Sequence, residues 1–125
     1  MTKLLRIEAF GFLLLTLFLY YLYGFSWIWF AILFFAPDIS MLGYLKNPRF
    51  GALIYNAAHF YLIPIIILII SWYIFGYTTW LVVTDFTWQL SLIWIAHISL
   101  DRTLGYGLKL STGFKDTHLG RIGRK

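Results

Sequence analysis

His97 and Asp101 stand four residues apart in the run WIAHISLDRTLGYGLK, a spacing that stacks an imidazole and a carboxylate on one helix face. Asn56 and His59, three apart, share a face in the same way, and Asp38 follows Pro37 in APDISMLGYLK. Asp38, His59, His97 and Asp101, with Glu8 as a candidate addition, form a mixed nitrogen and oxygen donor set. Such a set suits a divalent Zn, Mn or Fe ion, and zinc takes four ligands while leaving one position to water when it is catalytic. The chemistry expected is metal-dependent hydrolysis, with Arg102 and Asn56 as substrate-binding groups and Arg102 holding a phosphate. Asp116 and His118, in KDTHLG, would add ligands if the tail folded back, whereas a solvated tail would leave them out.

These polar residues are conspicuous because so little else in the chain is polar. Of 125 residues 61% are hydrophobic and 12% charged, against about one quarter charged in an ordinary soluble domain. The composition predicts an integral membrane protein with a single domain. Glu8, Asp38, His59, His97 and Asp101 all fall inside apolar runs, where an ionisable side chain is costly and so marks a functional site by default. Cysteine is absent, which excludes disulfides, Cys-ligated zinc, iron–sulfur clusters and thiol catalysis. The net charge of +5 is not read as a nucleic-acid surface, because the basic residues cluster at the ends of apolar runs and form no basic face. Membrane lipids are the expected surroundings, and oligomeric state is left open.

The elements that must position these groups follow from length. A hydrocarbon core of about 30 Å takes about 20 helical residues. Four spans are expected, at 6–23, 26–45, 48–75 and 86–105, with a polar cytoplasmic tail at 110–125. The first resembles a secretory signal but lacks a small-x-small cleavage site and runs into a second apolar stretch, so it is read as retained. The second must run through Pro37 as a kink, because a helix ending there would be too short to cross. Asn47 and Pro48 suit the N-cap and first position of the third helix, which Pro64 should bend just beyond His59. Residues 76–84 read as an outer interfacial loop, with Asp85 capping the fourth helix.

All ten Lys and Arg lie before the first span, between the second and third, or at the end of the last and in the tail. That bias predicts an all-α, multi-pass four-helix bundle in the cell membrane with both termini cytoplasmic. Counted along ideal helices, His59 and His97 sit level, about 17 and 15 Å above the inner end, with both aspartates about 6 to 9 Å nearer the cytosol.

APDISMLGYLKNPRFGALIYNAAHFYLIP, WIAHISLDRTLGYGLK and FKDTHLGRIG together resemble the small bacterial integral membrane proteins defined by domain of unknown function 4260. The resemblance spans nearly the full length and implies a membrane bundle without implying an activity. PDIS, the His of the next helix, and AHISLDRTLGYG also resemble, more distantly, elements of membrane-bound metal-dependent hydrolases. That likeness implies Asp38, His59, His97 and Asp101 as metal ligands. Ser40 stands where the hydrolase pattern has a second Asp, and the His paired with His59 is missing, so further ligands would come from Glu8 or water.

Two other readings use the same residues. In a non-enzymatic membrane component, the buried polar groups only lock helices together through interhelical hydrogen bonds. In a proton or ion pathway they would titrate in series, which requires polar groups continuing outward, where Ser71 and Gln89 stand almost alone.

Overall fold

The computed structural model describes residues 1–75 and 81–123. In chain order the elements are α1 (Thr2–Leu22), α2 (Trp27–Leu33), a 3₁₀ helix (Ala36–Leu45), α3 (Pro48–Ala58), α4 (Leu62–Phe75), α5 (Leu81–Leu104), and the short strands β1 (Asp116–Thr117) and β2 (Gly120–Arg121). Among the described residues three stretches are long and apolar enough to cross a membrane: Thr2–Leu22, Trp27–Leu45 and Pro48–Tyr73. Their outward faces carry Ile7, Leu14, Phe18, Ile28, Ile32, Ile69 and Trp72, all exposed. An apolar surface this extensive belongs in lipid.

α5 matches these segments in length at 24 residues, but its polar positions are turned inward rather than to lipid. Ser91, Ile93, Ala96, His97, Ile98 and Ser99 are all buried, because α1, α2, α4 and the 3₁₀ helix pack around it. Hydrogen bonds fix the helices at both ends. Toward one end, Tyr20 and the Ser26 amide both donate to Gln89 Oε1, and Ser71 pairs with Thr87. Toward the other, Arg6 donates to the Thr103 carbonyl and Tyr61 pairs with Ser99.

The two prolines reshape their segments more than kinks would. Pro37 has no N–H to continue α2, and the Asp38 amide bonds to the Phe35 carbonyl instead, the three-residue step of a 3₁₀ helix. That tighter coil then runs for 10 residues, well beyond the usual three or four. It rises about 2.0 Å per residue against about 1.5 Å in an α-helix, so the 19 residues Trp27–Leu45 can cover a bilayer core. It also lifts Asp38, seven residues above Leu45, by about 4 Å relative to an α-helical count. That closes about half of the ~6 to 9 Å by which an α-helical count sets the aspartate below the imidazoles, and side-chain reach closes the rest.

The expected bend at Pro64 is likewise a break, placed earlier. α3 ends at Ala58, His59 caps it at φ −109°, ψ 21°, and α4 starts at Leu62. Pro64 sits in the first turn of α4, where its missing N–H costs nothing. Carbonyls freed at the break find partners on α5: Trp94 Nε1 donates to Ala58 O at 2.6 Å, and Arg102 to His59 O at 3.4 Å. Broken helices at membrane depth require such replacements. Asn47 caps α3 as its sequence suggests, accepting from the Phe50 amide at 2.8 Å, with Pro48 following.

Three boundaries differ from expectation. α1 begins at Thr2 rather than at residue 6. α5 begins at Leu81, which places Asp85 inside the helix rather than at its cap and turns the last part of the expected 76–84 loop into helix. The remainder of that loop, 76–80, lies outside the described residues. The third difference is the tail. Residues 108–110 pair antiparallel with 116–118, and β1 pairs with β2, so it folds into a small cap instead of trailing in solvent.

The 3₁₀ helix is held against α3 at one close approach. A Cβ at Gly51 would lie 2.4 Å from the Tyr44 ring, and Gly43 faces the Gly51 Cα. Gly51→Ala should therefore push the 3₁₀ helix off α3 and destabilise the protein by about 1–3 kcal/mol, as overpacking does. Thermal unfolding in detergent checks this; an unchanged or raised Tm would mean that Tyr44 moves aside freely.

Candidate metal centre

Each of the four central side chains arrives from a different local device. Asp38 comes from the start of the 3₁₀ helix and His59 from the α3–α4 break. His97 and Asp101 come from adjacent turns of α5. They converge so that one donor atom from each lies within 4.8 Å of the others. His59 Nε2 is 3.1 Å from His97 Nε2. Asp38 Oδ1 is 3.5 Å from the first and 3.4 Å from the second. Asp101 Oδ2 is 3.4 and 3.7 Å from them. Four ligands at 2.0–2.1 Å from a tetrahedral ion stand about 3.3 Å apart, so five of the six edges already have the required size. The sixth, between the carboxylates, lies within the 4.8 Å limit.

Hydrogen bonding on the far side of the His59 ring points the same way. His59 Nδ1 lies 2.9 Å from the Tyr55 carbonyl oxygen, which requires a proton on Nδ1 and leaves a lone pair on Nε2. His97 Nδ1 is buried without a hydrogen-bond partner, so no backbone group fixes that ring's tautomer. With the His59 proton on Nδ1, the His59 Nε2 lone pair and two carboxylate oxygens face one another around His97 Nε2. A cation fits that centre, and in its absence a proton on His97 Nε2 would bridge it. Further packing fixes the arrangement. The Tyr55 ring stacks on His59 at 3.7 Å and 10°, its hydroxyl donates to Asp101 Oδ2 at 3.1 Å, and Phe34 meets the His97 ring edge-on.

A cavity of about 300 Å³ adjoins the cluster, between Asp38, Tyr55 and Asp101 below and Tyr106, Lys109 and Phe114 of the tail above. Lys109 is only 5% exposed. Its ammonium lies 4.0 Å from the centre of the Phe114 ring and 5.0 Å from that of Tyr55, and burial lowers its pKa while Asp101 and Asp38 pull the other way.

The remaining sequence candidates sit elsewhere. Asn56 does not face the cavity: its amide accepts from Lys109 N at 2.6 Å and donates to Lys109 O at 2.8 Å, so it pins the tail instead of binding substrate. Arg102 turns to the Tyr61 ring and the His59 carbonyl, away from the cavity lining. Glu8 is exposed on α1 and outside the cluster. Asp116 is taken by Thr112 and Arg121, and His118 Nδ1 accepts from the Leu108 amide at 2.8 Å. Tyr55 and Lys109 are the residues that sequence reasoning missed. The only signal for Lys109 was its place two residues after Gly107, where the chain doubles back and a Cβ would strike His118.

The model of the family described as Domain of unknown function (DUF4260) matches residues 2–122. The chain belongs to this family. No curated protein and no solved structure matches it. Within a DUF4260 chain, then, the four-residue cluster and its cavity are the observations from which a function must be argued.

His118 makes the cap sensitive to pH. Burial, and then the nearby Arg102 charge, push its pKa below the ordinary 6.5, so the fold favours the neutral ring. Its contribution to cap stability is complete above pH 6.5 and is lost as the pH falls through the lower folded value. Protection of the Leu108 amide from hydrogen exchange, corrected for intrinsic rate, should drop across that acid window. In His118→Asn, whose Oδ1 accepts without titrating, it should stay flat; identical profiles for the two proteins would show that His118 does not control the cap.

Proposed function

We propose that this DUF4260 protein is a metal-dependent hydrolase of the inner membrane leaflet, acting on a lipid or phosphoester, with Asp38, His59, His97 and Asp101 as ligands. The observation that carries the reading is the near-tetrahedral spacing of four nitrogen and oxygen atoms that can ligate a metal. With four protein ligands, a divalent ion held there would need a fifth position open toward the cavity, where it would lower the pKa of a water and polarise a phosphoryl or acyl oxygen. The protein's own groups do the rest. Tyr55 holds Asp101 in place through its hydroxyl and His59 through ring stacking, and the Tyr55 carbonyl behind His59 sets that ring's tautomer. The capped cavity beside the carboxylates limits access of bulk water. In the net reaction the water oxygen bonds to the phosphorus or acyl carbon as the ester bond breaks. One water proton ends on the leaving oxygen and the other is released.

The membrane arrangement belongs to the same proposal. The Lys and Arg bias marks one side as cytoplasmic, and among the described residues Arg6, Lys109, Lys115 and Arg121 lie with the cap that adjoins the cluster. Four crossings in the cell membrane put both termini inside.

Elemental analysis of detergent-purified protein tests the centre. Wild type should hold near-stoichiometric Zn, Mn or Fe, and His97→Ala and Asp38→Ala should each lose it while remaining helical. Well-folded wild type that stays metal-free after metal is resupplied would leave the cluster as a polar lock between helices. A reporter fused after Lys125 should be active only in the cytoplasm; activity outside would overturn the orientation and place the site at the outer leaflet.

A further inference from the structure

Lys109 is a buried ammonium whose neighbours are two aromatic faces. Among the described residues no carboxylate lies within ion-pair distance of it. Ring faces offset only part of the cost of burying a charge, so the side chain has unspent capacity for an anion. Its position is over-determined all the same: Asn56 holds its backbone at both N–H and C=O, and an antiparallel bridge ties it to Thr117. The side chain then lines the cavity that Asp38 and Asp101 line from the other side.

Charge balance narrows the ligand. A divalent ion with two carboxylates and two neutral imidazoles is neutral overall, and Lys109 leaves the cavity one positive charge in excess. A monoanion restores neutrality, and a phosphodiester is a monoanion at neutral pH. Resting on the metal-centre reading above, we infer that Lys109 is the anion-binding residue of the site and holds the phosphoryl group of a phosphodiester against the metal centre.

A second cavity, of about 280 Å³ and largely apolar, is walled by Leu33, Pro37, Ala58, Ile93 and Trp94. Pro37 and Ala58 immediately precede Asp38 and His59, and Ile93 lies one helical turn before His97. An apolar space backing onto the same residues suits the chain of an amphiphile, which favours a lipid as the source of the phosphodiester.

The test uses full-length protein loaded with Mn²⁺, with bound metal counted by elemental analysis and followed by electron paramagnetic resonance. Two probes are added separately, dimethyl phosphate and dihexanoylphosphatidylglycerol, and paramagnetic broadening of each ³¹P signal reports a phosphorus beside the metal. Wild type should broaden at least one probe. Lys109→Gln should weaken that binding at least tenfold with unchanged Mn content, and Lys109→Arg should restore most of it. Broadening of the phospholipid alone assigns a lipid headgroup, and broadening of dimethyl phosphate with equal affinity assigns a soluble phosphodiester. Equal affinities in wild type and Lys109→Gln, or no broadening of either probe by Mn-loaded protein, would overturn the role of Lys109 while leaving the metal centre standing. Failure of wild type to bind Mn, Zn or Fe at all would overturn both.

Discussion

Four nitrogen and oxygen atoms that can ligate a metal, brought within a few ångströms of one another inside a membrane protein, repel unless a cation or a proton lies between them, and the fold is arranged around that demand. Carboxylates and imidazole lone pairs cannot be left bare at this depth, where water is scarce and the effective dielectric is low. Nor can they gather by straight helices alone. Asp38 comes within reach of the imidazoles because Pro37 forces a stretched 3₁₀ coil, and His59 faces the centre because α3 stops one residue before it. The two helical irregularities and the polar cluster are one construction: the Pro37 carbonyl is taken up locally by Ser40, and the carbonyls freed at the α3–α4 break are taken up by side chains of α5, the buried element.

The parts of this arrangement that were legible in the sequence are those governed by composition and fixed spacing. Apolar length marked the spans, Asn47 and Pro48 announced the start of α3, and the i, i+4 relation of His97 and Asp101 put them on one face. The meeting of the two histidines agreed with residue counts, which ran along α-helix for most of their length. The count fell short for Asp38 in part because rise per residue depends on helix type, and nothing in a single proline distinguishes a kink from a switch to 3₁₀ geometry.

Roles that depend on tertiary direction were not legible. Arg102 and Asn56 are polar and close to the cluster in sequence, yet one residue of offset on a helix turns a side chain by about 100°, and both spend their hydrogen bonds on backbone. Lys109 was hidden for a different reason. It belongs to a stretch whose polarity and charge resemble a solvated tail, and only the hairpin pairing of residues beyond it brings it inward.

The cap that carries Lys109 also imposes an order on assembly. Every residue of the cluster lies in the first 101 positions, whereas the tail that closes the cavity is translated after all the helices. A chain whose tail is not yet seated can gather its two histidines and two aspartates while that side of the cluster is open. Once the tail docks, the two bonds from Asn56 to the Lys109 backbone hold it down. Loading of the centre and closure over it are thus separable steps, and whatever enters the centre unaided meets a more open site before the tail is seated than after.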